Sequence, residues 1–107
     1  MSNELIQAVK NDSIKDINNL LSKGFDIDSS DADGMTPLLH ACEIQNFDIM
    51  KLLVDFGADV NHKNKLGHKA VDIAYWYGEF RMGCYTAVSQ KMVKYLTNHG
   101  ATSSVNT

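Results

Sequence analysis

Between Leu38 and Leu53 the apolar residues fall at helical spacing rather than in strict alternation. Leu38, Ala41 and Cys42 form a narrow face of small and medium side chains. A polar break at Gln45-Asn46 follows, and Ile49, Met50, Leu52 and Leu53 resume the apolar stripe. The ends are marked by their own chemistry. Asp31-Ala32-Asp33-Gly34 reads as a tight turn, Thr36 as a helix cap and Pro37 as a first-turn residue whose missing N–H costs nothing there. Gly57 closes the second helix. The prediction is two short helices joined by a short break. Weaker copies lie on either side: Leu5, Ala8 and Val9 with Ile17, Leu20 and Leu21 before it, and Ala74 with Met92, Val93 and Leu96 after it.

These copies share one interval. Ala8, Ala41 and Ala74 are 33 residues apart, as are Leu20 and Leu53, Gly24 and Gly57, and Asp26 and Asp59. A period of this length marks a stack of helical repeats, each unable to bury its apolar face alone.

Gly34-x-Thr36-Pro37-Leu38, then Ala41, Leu52-Leu53 and Gly57-Ala58-Asp59-Val60-Asn61, resembles an ankyrin repeat. The resemblance covers residues 3–101 and implies an all-α solenoid of stacked helix–turn–helix units with short turn tips. One domain is expected over 1–101, with units at about 1–30, 31–63 and 64–101 and a polar tail at 102–107. The first unit lacks the turn and the Thr-Pro, and offers Asn3, Gln7 and Asn11 to water, as an N-terminal cap needs. The third departs further. Gly67 is in register, but Lys69-Ala70-Val71 replaces Thr-Pro-Leu, a weaker helix start. Gly100 follows Gly57 by 43 residues, ten more than the period. The surplus is expected between the two helices, at about 79–88. Phe80, Met82, Cys84 and Tyr85 make it too apolar for a solvated loop, so it reads either as a C-terminal cap or as a partner-contacting arm, with Thr86 available to cap the helix that follows.

The family resemblance places partner contacts on the turn tips and on the inner face of each first helix. By motif position the tips are Ala32, Asp33 and Met35, then Lys65, Leu66 and His68. The helix positions are Lys10 and Asn11, Glu43 and Ile44, and Trp76 and Tyr77; the insertion adds Phe80, Arg81 and Tyr85. Trp76 is either a binding anchor, as aromatics at interfaces often are, or a packing residue beneath the insertion.

Composition narrows the function class. The 107 residues contain no apolar run near 18, so no membrane partner is expected, and the N-terminus lacks a secretory pattern. Two cysteines form no disulfide framework, which favours the cytoplasm. The net charge is −3 but polarised: residues 1–61 carry four Lys against eleven acids, residues 62–107 five Lys and Arg81 against Asp72 and Glu79. Such polarity can steer a charged partner. The acidic half argues against nucleic acid.

Candidate chemistry is rejected on spacing. An EF-hand frame with Gly34 sixth puts Ser29 first and His40 twelfth, where a bidentate Glu is needed. The four histidines show no paired ligand spacing with each other or the cysteines, so no metal or other cofactor is expected. Nothing pairs a nucleophile with a base, and the chain is not expected to be an enzyme.

The chain begins with Met and is short, so the expectation is a complete product whose binding is its activity. The reading is a monomeric protein–protein interaction module that occupies a partner. Similarity to short bacterial ankyrin-like proteins makes its most specific form an immunity-type protein neutralising a toxin. The alternatives are a self-assembling ankyrin protein and a host-directed adaptor.

Overall fold

The computed structural model describes residues 3–81 and 87–101, and the side chains of 3–76 and 87–101. The described residues form six helices: α1 (Glu4–Lys10), α2 (Ile14–Ser22), α3 (Pro37–Glu43), α4 (Phe47–Asp55), α5 (Ala70–Arg81) and α6 (Ala87–Asn98). They pair as α1 with α2, α3 with α4 and α5 with α6. Helices α1, α3 and α5 make an inner layer with α3 in the middle, and α4 packs on α6 in the outer layer. The expected stack of helix–turn–helix units is the observed fold.

The period is visible in how each helix begins and ends. Asn3, Ser13, Thr36 and Asn46 cap the first four helices, each side chain accepting from an amide three residues on. The breaks within the first two units turn on Asp12 (φ 55°) and Gln45 (φ 61°), which occupy the same register. Each second helix closes in a Schellman motif around a glycine of positive φ. The amides of Phe25, Ala58 and Ala101 return to the carbonyls of Leu20, Leu53 and Leu96 at 3.1, 3.0 and 3.0 Å.

Packing explains why alanine recurs at 8, 41 and 74. All three are buried between inner-layer helices, where a small side chain lets neighbouring backbones approach. Leu5, Ile17, Leu38, Leu39, Ile49, Met50, Leu53, Met92 and Leu96 fill the core beneath them. Cys42 is fully buried there, and burial pushes its thiol far above the ordinary range, so it stays protonated and inert. Gln45 ties the second unit to the third. Its Nε2 donates to the carbonyls of Cys42 (3.0 Å) and Ala74 (3.1 Å), and its Oε1 accepts from Ser89 Oγ at 2.5 Å.

The ten surplus residues of the third unit do not sit mainly between its helices. Five lengthen α5, which has 12 residues against 7 in α1 and α3, and three lengthen α6, which has 12 against 9 in α2 and α4. Residues 82–86, which separate them, lie outside the described residues. Residues 79–81 are therefore helix, as are 87 and 88. The cause is local. Where the earlier units carry Asp12-Ser13 and Gln45-Asn46, this one carries Gly78-Glu79, and Glu lacks the short side-chain oxygen that caps a new helix. With nothing to start a second helix there, the first runs on. Whether the insertion caps the stack falls outside the described residues, as does capping by Thr86.

The start of α5 at Lys69 is capped differently from that of α3. Thr36 Oγ1 accepts from the Leu39 amide (3.3 Å), whereas a lysine side chain can only donate, and at the start of α5 the Asp72 carboxylate reaches back to the Lys69 amide at 3.0 Å. This is one half of a capping box.

Candidate functional site

Two turn tips stand above the inner layer, and each is built by one short polar residue. Asp31 Oδ1 accepts from the amides of Asp33 (2.9 Å) and Met35 (3.0 Å). In the next unit Asn64 Oδ1 accepts from Leu66 (2.9 Å) and His68 (3.0 Å). These side-chain turns account for the aspartates that superficially suggest a calcium loop. The tips are also joined to each other. The Lys65 amide donates to the Asp33 carbonyl at 3.1 Å, and His62 Nε2 lies 3.1 Å from the Gly34 carbonyl. Gly34 is needed twice over: its φ is +77°, and a Cβ there would lie 2.9 Å from the Lys65 nitrogen.

Between the tips and the inner helices lies a groove of about 640 Å³. It brings together Lys10, Asp33, Met35, Glu43, Lys65, Leu66, His68 and Trp76, all expected from motif position. Leu66 projects from its tip with 78% of its surface exposed, while Met35 is buried and accepts from Asn64 Nδ2 through its sulfur (3.3 Å). Trp76 is half-buried and meets the His68 ring edge-on, with centroids 4.4 Å apart and planes at 89°. That contact orients the indole without covering it.

Other expected positions lie elsewhere. Ala32 is exposed on its tip but does not line the groove. Ile44 is the C-cap of α3 and lines a separate shallow depression with Phe47 and Val88; Asn11 faces another, between α1 and α2. The side chains of Tyr77, Phe80 and Arg81, and all of Tyr85, lie outside the described residues.

Motif position alone missed the groove's floor. His40 is 5% exposed, and its Nε2 lies 2.9 Å from Asp31 Oδ2. Its Nδ1 has no hydrogen-bond partner, and Glu43 Oε1 lies 3.6 Å from it. Burial works to raise the Asp31 carboxyl. The His40 hydrogen bond, the Met35 and Asp33 amides and the His40 charge outweigh it, holding the group below its ordinary value. The register offers a signal that was readable. One period on, Asp31 becomes Asn64 and His40 becomes Ile73, so the acid and its ring partner are lost together.

Among the described residues no group of three or more His, Cys, Asp or Glu side chains is arranged to hold a metal ion. No helix there is long and apolar enough to cross a membrane.

A family profile described as "Ankyrin repeats (3 copies)" matches residues 5–107. The chain is similar to the ankyrin repeat and LEM domain-containing protein 1 homolog of Caenorhabditis elegans, 44% identical over 55 residues, which are 51% of this chain and 8% of that protein. A putative ankyrin repeat protein of Rickettsia bellii is 36% identical over 61 residues, 57% of this chain and 36% of that one. The Notch-regulated ankyrin repeat-containing protein of Xenopus laevis is 32% identical over 89 residues, covering 79% of this chain and 78% of its own. The chain thus spans well under two thirds of the first two relatives. Among solved structures, the ankyrin repeat domain of Bcl-3, a member of the IkappaB family, superposes with a TM-score of 0.79 at 30% identity, over 92% of this chain and 39% of that one.

Proposed function

The chain belongs to the ankyrin-repeat family, and we propose that it seats a partner protein in the groove beneath its two tips, with Leu66 and Trp76 as the main apolar contacts. Ankyrin repeats indicate a protein–protein interaction module. The observation that carries the specific reading is the groove: it gathers an exposed Leu66, a half-buried Trp76 and several charged groups on the inner helical layer. An aromatic anchor flanked by polar groups is what interface hot spots are made of.

In this reading the protein works as a monomer by occupying its partner, in the cytoplasm, with no cofactor and no nucleic acid. Its most specific form is an immunity-type protein that neutralises a toxin. Capture from the native cell tests both levels. A partner retained by the wild type and lost with Leu66→Asp supports the module. A toxin-like partner, with loss of protection when the gene is deleted, supports the immunity form. Capture that ignores Leu66→Asp removes the groove from the account.

A further inference from the structure

The C-terminal end of α3 separates two surfaces. Glu43 lines the groove, while its neighbour Ile44 lines a shallow depression of about 440 Å³ at the break between α3 and α4. Three apolar side chains meet there from two units. Ile44 is 37% exposed, Val88 of α6 is 42% exposed, and Phe47 is half-buried. The stack does not require an apolar side chain at Ile44, because one period earlier the same place is held by Asn11. Neighbouring apolar groups left in water and rimmed by charge are what a contact surface offers.

The charges beside them have one sign. Asp12 and Asp48 line the depression, and among the described residues no lysine or arginine does. Asp12 Oδ1 accepts from Asn46 Nδ2 at 2.9 Å, which fixes that carboxylate at the boundary of the first and second units. Asp48 is not used as a helix cap, since Asn46 Oδ1 takes the Ile49 amide at 3.1 Å. Neither carboxylate has an ion-pair partner among the described residues. Of the nearby lysines, Lys51 is bonded to Asp55 at 3.1 Å and Lys91 stands 4.2 Å from the centre of the Phe47 ring.

We propose that this depression is a contact surface separate from the groove, and that it takes a basic, aliphatic segment of a partner protein. Leucine- or valine-like side chains rest against Ile44, Phe47 and Val88, and lysine or arginine side chains reach Asp12 and Asp48. Charge selects this occupant. Most of the depression belongs to the acidic part of the chain, where residues 1–61 carry four Lys against eleven acids. An acidic segment is repelled there and a basic one is drawn in. The surface goes beyond the groove reading and does not depend on it.

The test uses three capped tetrapeptides, Leu-Lys-Val-Lys, Leu-Glu-Val-Glu and Ser-Lys-Ser-Lys, read by the methyl resonances of Ile44 and Val88. The first is expected to shift both methyl signals saturably, with the other two at least about fivefold weaker. Replacing both acids, Asp12→Asn with Asp48→Asn, is expected to weaken the first peptide about fivefold, the scale of two exposed ion pairs. Both positions are exposed, and asparagine tolerates the φ of 55° at Asp12 while keeping an oxygen for Asn46. No saturable shift at Ile44 and Val88 overturns the proposal. So does an equal response to the glutamate peptide, an equal response to the serine peptide, or indifference to the double replacement. The peptide arms use the unaltered protein, so the outcome does not depend on the variant folding. Leu66→Asp separates this surface from the groove. The response is expected to be unchanged in that variant, and its loss places the peptide in the groove and overturns the proposal. If partner capture ignores Leu66→Asp, the groove falls while the peptides still decide the depression.

Discussion

The second and third units share a register and a core but differ at nearly every position where a helix starts or a chain turns. In the second, Thr36 starts α3, Gln45 turns the chain at positive φ and Asn46 starts α4. In the third, Lys69 leaves the start to Asp72, and Gly78-Glu79 stands where the turn and cap belong, so α5 continues to Arg81. The tips diverge too: Asp31 with His40 in one, Asn64 over Ile73 in the other. Ala41 and Ala74 in the inner layer and Leu53 and Leu96 in the outer one are kept between them. Core residues set where helices lie, and a few short polar residues set how long they run.

The largest difference should appear at the tip glycines. Gly34 and Gly67 both have positive φ, but a Cβ on Gly34 meets the neighbouring tip's backbone, while one on Gly67 meets nothing within 4 Å. Gly67→Ala is expected to cost about 1 kcal/mol from backbone conformation alone. Gly34→Ala should cost about 3 kcal/mol, since a crowded tip is added to that penalty. Denaturant titration of both variants measures the gap, and equal losses mean that the two tips do not constrain each other.

A smaller effect separates the tips by acidity. The folded Asp31 carboxyl lies below its ordinary value, so it contributes stability that is full above the unfolded pKa of about 4 and is lost as pH falls through the lower folded one. Asp31→Asn should flatten that part of the acid profile and lower stability at neutral pH by about 1.5–3 kcal/mol, the scale of a hydrogen bond to a charged group. Melting curves from neutral pH down to acid check it. An unchanged profile shows that the His40 contact does not hold the tip.

The smallest effect tests the helix starts. Lys69→Thr gives α5 the hydroxyl that α3 already has and, with Asp72 in place, is expected to add about 0.5–1 kcal/mol. Loss of stability instead means that Lys69 matters more through its side chain than its position suggests.

Much of this fold was legible in the chain because repeat periodicity, cap residues and C-terminal glycines act locally. Thr36-Pro37, Asn46 and Gly57 each do what their residue types imply. The shape of the insertion was not legible because its excess length is visible in the sequence, while the missing cap at Glu79, which lets α5 run on to Arg81, is an absence within the pattern. The groove was only half legible. Motif position pointed to Leu66, His68 and Trp76, but His40 shows its role only when Asp31, Glu43 and the ring are placed in space. A histidine on an apolar helix face does not announce which of its nitrogens is left without a partner.

In the proposed function, partners seat against Trp76 in this groove. Trp76→Ala, measured for affinity toward the captured partner and for melting temperature, tests it most directly. Binding is expected to weaken by about 2 kcal/mol or more, as for an interface anchor, while the melting temperature moves only a few degrees, because Trp76 is half-buried and outside the fully buried core. Unchanged affinity with a stability loss of about 3 kcal/mol or more, the cost of emptying a core tryptophan site, would contradict it.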